Sequence, residues 1–343
     1  MGTDPGKILL MTTANRIKSE LPGGDPALMN RVAWARRWTD REASTEYAIN
    51  ALQTASDGQG RRSRTEQGYA LRTLAWHARW RGEFDASMEY CLKAESFLSE
   101  TDHPATRASI YATLGMVHYV RSRMDLAICA VDRGIWLLRD LDAQHSSSVQ
   151  IDLLVVQSMI QQQSGEHARA GMTLGRAREL ANEEDLPMVD CGTAFWLLHN
   201  GEYDRAIQYA QTAQNSSEEN ENQILLPHIH RVLGACHARQ KNRIEALAHF
   251  KEGFRLAEQY GDQRALCYLN LAQAQFELAR GETEKARDML LVGVSIAKRQ
   301  TLPLVRKQLA LTLAETFEEL GQFKAAVDQH KLAWRLEREG RIR

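Results

Sequence analysis

Residues 82–94 read GEFDASMEYCLKA, a turn glycine followed by the first turns of an amphipathic helix. The pattern recurs along the chain. Aligned on its turn position it is carried by Gly82, Ser122, Gly165, Gly201, Lys241, Gly281 and Gly321, at intervals of 40, 43, 36, 40, 40 and 40 residues by subtraction. A fixed period of this kind is the mark of a stacked array, in which each unit buries its apolar face only against its neighbours.

Small side chains keep the same register. Five residues after each turn position stand Ser87, Ala127, Ala170, Ala206, Ala246, Ala286 and Ala326. Seven further on stand Ala94, Gly134, Ala177, Ala213, Gly253, Gly293 and Ala333. Positions i and i+7 share one helical face, and small residues there let a neighbouring helix approach closely. Seven residues before each turn come Ala75, Gly115, Ser158, Ala194, Gly234, Ala274 and Ala314. A glycine inside a helix costs about 0.8–1 kcal/mol against alanine, so its recurrence argues that close packing offsets the loss.

These residues resemble the tetratricopeptide repeat, with Leu114-Gly115 and Leu233-Gly234 in first helices and Gly82-Glu83-Phe84, Gly201-Glu202-Tyr203 and Gly321-Gln322-Phe323 at turns. Ordinary members repeat every 34 residues. The longer period here is similar to that of bacterial MalT-like regulators and kinesin light chains. The resemblance implies an all-α solenoid of antiparallel helical hairpins, with seven clear repeats and a degenerate unit before them. Its expected organisation is an N-terminal, partly flexible segment over 1–26, a degenerate helical pair with a loop over 27–66, and the array over 67–343. The sixth copy is the least regular, because Leu271-Ala272 falls two residues early for a Leu-Gly pair.

Within 1–26, Ile8, Leu9, Met11, Ile17 and Leu21 suggest a short helix between Pro/Gly breakers. Gly58-Gln59-Gly60 with Arg61, Arg62 and Arg64 reads as a basic loop, and Asp140–Gln150 and Asn215–Asn222 read as polar connectors. The chain carries 43 basic and 44 acidic residues, so no global charge draws it to nucleic acid or anionic lipid. Five scattered cysteines with no Cys-x-x-Cys pair speak against a disulfide scaffold or thiolate zinc site and for a reducing, cytoplasmic setting. No apolar run approaches the roughly 20 residues that span a bilayer.

No phosphate loop, nucleophile elbow or His-Glu-x-x-His motif is present, so the sequence predicts no catalytic residues, no cofactor and no enzyme activity. His228-Ile229-His230 with Cys236 and His237 invites a metal reading. On a helix, however, i and i+2 diverge by about 200°, and the set has no tetrahedral spacing. The basic stretch around Arg31, Arg36, Arg37 and Arg61 is interrupted by Glu42 and Glu46, which argues against a nucleic-acid strip.

The resemblance also implies a concave groove lined by first helices. Carried over by register, its candidate residues are Tyr69, Arg72, Trp76, Arg79 and Trp80, then Met116 and Tyr119, then Met159 and Gln162, then Phe195 and His199, then Arg231. Ala112, Asp152, Val155, Gln163, Cys191, Leu198, His228, Arg239 and Gln308 accompany them, and Glu315, Glu318 and Glu319 close an acidic end. Arginine offers planar, bidentate recognition of carboxylate or phosphate, and aromatic and Met side chains offer adaptable apolar contact. The same Trp76, Trp80, Met116 and Met159 are equally readable as helix packing.

At the C-terminus Trp334 and Leu336 lie on a final helix with no capping helix after it. They are candidates for docking to an oligomer partner or a downstream domain. The sequence therefore predicts a non-catalytic module for a protein, a peptide or an anionic small ligand, with self-association through the last helix. It would control an attached output of diguanylate cyclase or LuxR/MalT type. The alternative is a free-standing adaptor or co-chaperone that bridges two proteins.

Overall fold

The computed structural model describes residues 24–141 and 143–342. The helix and the flexibility expected within 1–26 fall outside them up to residue 23. Among the described residues there are sixteen helices and no strand. They pair as antiparallel hairpins: α1 (Pro26–Ala35) with α2 (Arg41–Ser56), α3 (Arg61–Arg81) with α4 (Phe84–Phe97), α5 (Pro104–Val120) with α6 (Met124–Leu138) and α7 (Ala143–Gln163) with α8 (His167–Leu180). The second half repeats the plan with α9 (Leu186–His199) and α10 (Tyr203–Glu219), α11 (Leu226–Arg239) and α12 (Arg243–Gln259), α13 (Gln263–Leu278) and α14 (Thr283–Arg299), α15 (Pro303–Glu319) and α16 (Phe323–Ile342).

The register marks are backbone devices. Gly82, Ser122, Gly165, Gly201, Lys241, Gly281 and Gly321 have φ of 79, 56, 81, 79, 64, 77 and 70°, all left-handed. After each, the next N–H donates to the carbonyl five residues back, as in Glu83 to Ala78 (2.9 Å), Asn242 to His237 (2.9 Å) and Gln322 to Phe317 (2.8 Å). This is the Schellman closure, which satisfies carbonyls orphaned at a helix end and turns the chain into the second helix.

The small positions are contact points between units. A Cβ on Gly134, Gly253 or Gly293 would stand 2.6, 2.8 and 2.8 Å from a methyl of Leu153, Leu269 and Leu309. In each case the leucine belongs to the first helix of the following hairpin, so the glycine makes room for the next unit. The alanines at the equivalent positions, Ala94, Ala177 and Ala213, are fully buried.

Three expected loops are helical. Arg61, Arg62 and Arg64 open α3, residues 143–150 open α7, and 215–219 complete α10. Ser and Asn have only a weak preference against helix, and burial against neighbouring hairpins overrides it.

The array curls until its sixth regular hairpin meets its first two. The Arg264 guanidinium of α13 lies 5.6 Å from the Trp80 ring of α3 and donates to Met116 Sδ of α5 at 3.6 Å. Arg41 donates to the Tyr260 carbonyl at 2.8 Å, which ties the N-terminal hairpin to the same region. Leu336, expected to lack a packing partner, is 7% exposed. It borders a cleft with Arg121, Arg123 and Leu302, while Gly340 lies against Ser122, so the α5–α6 turn covers this end of α16. Trp334 stays 63% exposed.

Candidate functional site

Curling converts the concave face into an interior. Two joined chambers run through it, of about 110 Å³ and about 600 Å³. The walls come almost wholly from first helices, since their side chains point inward on every hairpin. We refer to the smaller as inner and the larger as outer.

The inner chamber has apolar walls, including Trp80, Met116, Val155, Met159, Met188 and Phe195. Into it project three arginines, Arg79, Arg231 and Arg264, one carboxylate, Asp152, and His228. Arg79 is 6% exposed and Asp152 is also buried. Burial pushes the Asp152 carboxyl up, while Arg79 and Arg37 oppose the shift. Burial likewise lowers Arg79 to about 10, against the pull of Asp152. His228 Nε2 lies 2.9 Å from Asp262 Oδ2, and burial holds its pKa down despite that carboxylate. Asp262 resists its own burial through His228, Arg264 and the Ala265 N–H, and stays below the usual carboxylate range.

The outer chamber is the more polar of the two, with polar and apolar groups in nearly equal share. Gln162, Gln163, Gln275 and Gln308 come from α7, α13 and α15, with Thr312, His199 and Arg239 beside them. Gln162 Nε2 is buried without a hydrogen-bond partner. An amide side chain both donates and accepts, which matches the alternating groups of an extended peptide backbone. Tyr119, Phe195, Arg231 and Tyr268 border both chambers.

Of the twelve principal groove residues expected from the sequence, nine line this interior: Arg79, Trp80, Met116, Tyr119, Met159, Gln162, Phe195, His199 and Arg231; so do all of their expected companions except Ala112 and the acidic trio at the end. Tyr69, Arg72 and Trp76 line neither chamber. Tyr69 bonds His103 at 3.0 Å, and Arg72 lies under the Trp34 ring at 3.5 Å, where burial lowers it to about 9. Trp76, 1% exposed, packs edge-on against Trp38 at 4.6 Å. The N-terminal hairpin has folded over this end of the groove, which a reading confined to first-helix positions does not foresee. Glu315, Glu318 and Glu319 are exposed and line neither chamber.

Arg264, Tyr268, Met188 and Gln275 were absent from the sequence-based set. Tyr268 had a legible signal: it stands 13 residues before Gly281, the same offset as His228 before Lys241 and Asp152 before Gly165. The irregular Leu271-Ala272 pair obscured that register. Among the described residues no group of three potential ligands is placed to hold a metal ion. His230 instead meets His249 at 3.0 Å, and His237 stacks on His249 at 5.5 Å. No helix among the described residues is long and apolar enough to cross a membrane.

Stacked antiparallel hairpins whose first helices line a concave interior define an all-α solenoid of tetratricopeptide type. Solved structures share that fold. One titled as a Rap protein complexed with competence and sporulation factor superposes with a TM-score of 0.69 at 13% identity, covering 99% of this chain and 89% of the other. The Rap conjugation gene regulator of plasmid pLS20, in complex with the Phr* peptide, gives 0.63 at 12% identity over 92% and 95%. The apo form of the quorum sensor NprR from B. thuringiensis gives 0.55 at 15% identity over 91% and 86%. No family model matches the chain, and no curated protein matches it by sequence. The finer likeness to MalT-like regulators and kinesin light chains remains an expectation from the repeat length.

Proposed function

We propose that the chain is a non-catalytic regulatory module that receives a short extended peptide in its concave interior. The observation that carries this reading is the pairing of chambers, an apolar cationic pocket opening onto a larger cavity with amide side chains around it. Two solved structures of like fold are complexes, one with competence and sporulation factor and one with the Phr* peptide, which supports the choice. In this proposal residues 67–343 form the receptor and 27–66 its cover, since Trp34 and Trp38 pack over Arg72 and Trp76. Ligand entry then changes the contact between α13 and the α3–α5 region, and that change reaches an attached output.

Native mass spectrometry of the protein purified from its own cells tests the reading. The expected spectrum shows a stoichiometric adduct of peptide mass, lost when Arg79, Met116 and Arg231 are substituted together. An adduct unaffected by those substitutions would sink the assignment of the site.

A second proposal, self-association through the last helix, has one observation in its favour. Phe323, Val327 and Trp334 are exposed and fall on one face of α16. We propose that this stripe docks a second copy of the chain. Light scattering should then show a dimer that Trp334→Glu converts to monomer.

A further inference from the structure

Arg231, at the boundary of the two chambers, is a half-buried cation with no counter-ion among the described residues. Its guanidinium sits 4.9 Å from the Phe195 ring centre and 5.3 Å from that of Tyr268. Its Nε is buried without a hydrogen-bond partner, and among the described residues no carboxylate lies within ion-pair reach. The groups that act on its charge are Tyr268, Cys191, Arg264 and Tyr119, none of them an acid at neutral pH. A guanidinium half-buried among aromatic rings gives up part of its hydration with no anion to replace it, so the site favours an incoming negative group.

Its neighbours are donors as well. Tyr119 is 5% exposed, and burial holds its hydroxyl far above the ordinary phenol range, so it remains an O–H donor. Neither Tyr119 nor Tyr268 makes a side-chain hydrogen bond among the described residues. Arg79 is also buried, with no hydrogen bond or ion pair there. Asp152 answers Arg79 and Arg37, and Asp262 is taken up by His228, so neither acid neutralises Arg231.

We infer that this boundary is a carboxylate subsite: Arg231 receives a ligand carboxylate bidentately, with the Tyr119 and Tyr268 hydroxyls as further donors. The proposal rests on the peptide reading and adds which end enters first. The apolar group next to the carboxylate occupies the inner chamber between Met116, Val155 and Met159. At about 110 Å³ that chamber is somewhat smaller than the 150 Å³ cavity that admits benzene, which suits one branched aliphatic side chain. The backbone then runs out past Gln162 and Gln275. A peptide with an aliphatic last residue and a free C-terminus meets these requirements, and so does an internal Asp or Glu beside an aliphatic residue.

Three pentapeptide libraries separate these sources. One has free C-termini ending in Leu, Ile or Val and contains no Asp or Glu; the second is its C-terminal amide; the third is amidated but carries one Asp or Glu. Retention on the full chain is read by mass spectrometry. The expected result is at least tenfold preference for the free-acid library over its amide, lost in Arg231→Met and partly kept in Arg231→Lys. Preference for the third library over the second assigns the carboxylate to a side chain and keeps the subsite. Equal retention of all three overturns the subsite and leaves the peptide reading standing. Retention of none overturns both. Displacement of the free-acid library by inorganic phosphate but not by acetate would overturn the choice of carboxylate. Circular dichroism of Arg231→Met, expected to melt no lower than the parent, shows that lost preference is not lost fold.

Discussion

The inner and outer chambers share one wall of aromatic and guanidinium groups, yet they are different kinds of cavity. The inner one is part of the core. Trp80, Val155 and Met116 belong to the buried clusters that hold successive hairpins together, so its shape is set by the same contacts that set the fold. The outer one adds glutamine, histidine and arginine from α7 to α15 to a wall that is otherwise apolar. One chamber selects by shape and charge; the other offers hydrogen bonds to any backbone. A fold places its discrimination where it is stiff, because only a stiff wall penalises the wrong shape.

The largest test of this contrast is truncation of the stiff wall. Trp80→Ala should lower stability by about 3–5 kcal/mol in urea unfolding, as expected for a large buried aromatic. A loss under about 1 kcal/mol would place Trp80 outside the core. Acid should act on the same side. His77, fully buried behind Trp76, bonds Ser44 Oγ at 2.7 Å; that hydroxyl donates to the Ala33 carbonyl, so His77 Nε2–H is the donor to it. Burial, with nearby Arg81 and Arg41, lowers His77 to about 3.

The unfolded chain takes up a proton on His77 below about pH 6.5, whereas the folded chain does so only near 3. The stability this histidine contributes is therefore intact above 6.5 and falls between those limits, by up to about 1.4 kcal/mol per pH unit. Thermal melts from pH 7 to 4 should decline, and His77→Gln should flatten the decline. An unchanged slope would show that His77 is protonated in the folded chain.

Arg231→Met should change stability in the opposite direction from Trp80→Ala. Removing an unpaired, half-buried charge in favour of an apolar chain of similar length should raise stability by up to about 1 kcal/mol, visible as a higher Tm. A lower Tm would mean that its ring contacts outweigh its desolvation. The smallest effect belongs to the outer chamber. Gln275→Ala should leave stability within about 0.5 kcal/mol while weakening peptide retention several-fold. A larger loss of stability would make the outer chamber structural too, and the contrast would fail.

Most of the interior was legible because the repeat numbers it. Once Gly82 and its equivalents define the register, the inward positions of each first helix follow, and Arg79, Met116, Phe195 and Arg231 are found by counting. Tyr69, Arg72 and Trp76 obey the same count and still miss the chambers: Trp34 and Trp38 from an irregular hairpin cover Arg72 and Trp76, and His103 engages Tyr69. Arg264 and Tyr268 escaped for the opposite reason: they line the site from the one unit whose local pattern slips.

What the sequence determined by itself was whatever a hairpin decides locally. The left-handed turn needs Gly or a tolerant residue, and the close approach of the next hairpin needs Ala or Gly at Ala94, Gly134 and Gly253. These demands arise within one unit or between adjacent ones, so they leave a mark at every period. The tertiary structure alone decided that the array closes on itself. Small rotations between successive hairpins add up over the six from α3 to α14, and no single residue encodes their sum. That sum brings Arg264 to Trp80 and Met116, and so makes a groove into two joined, partly open chambers with Arg231 at their boundary.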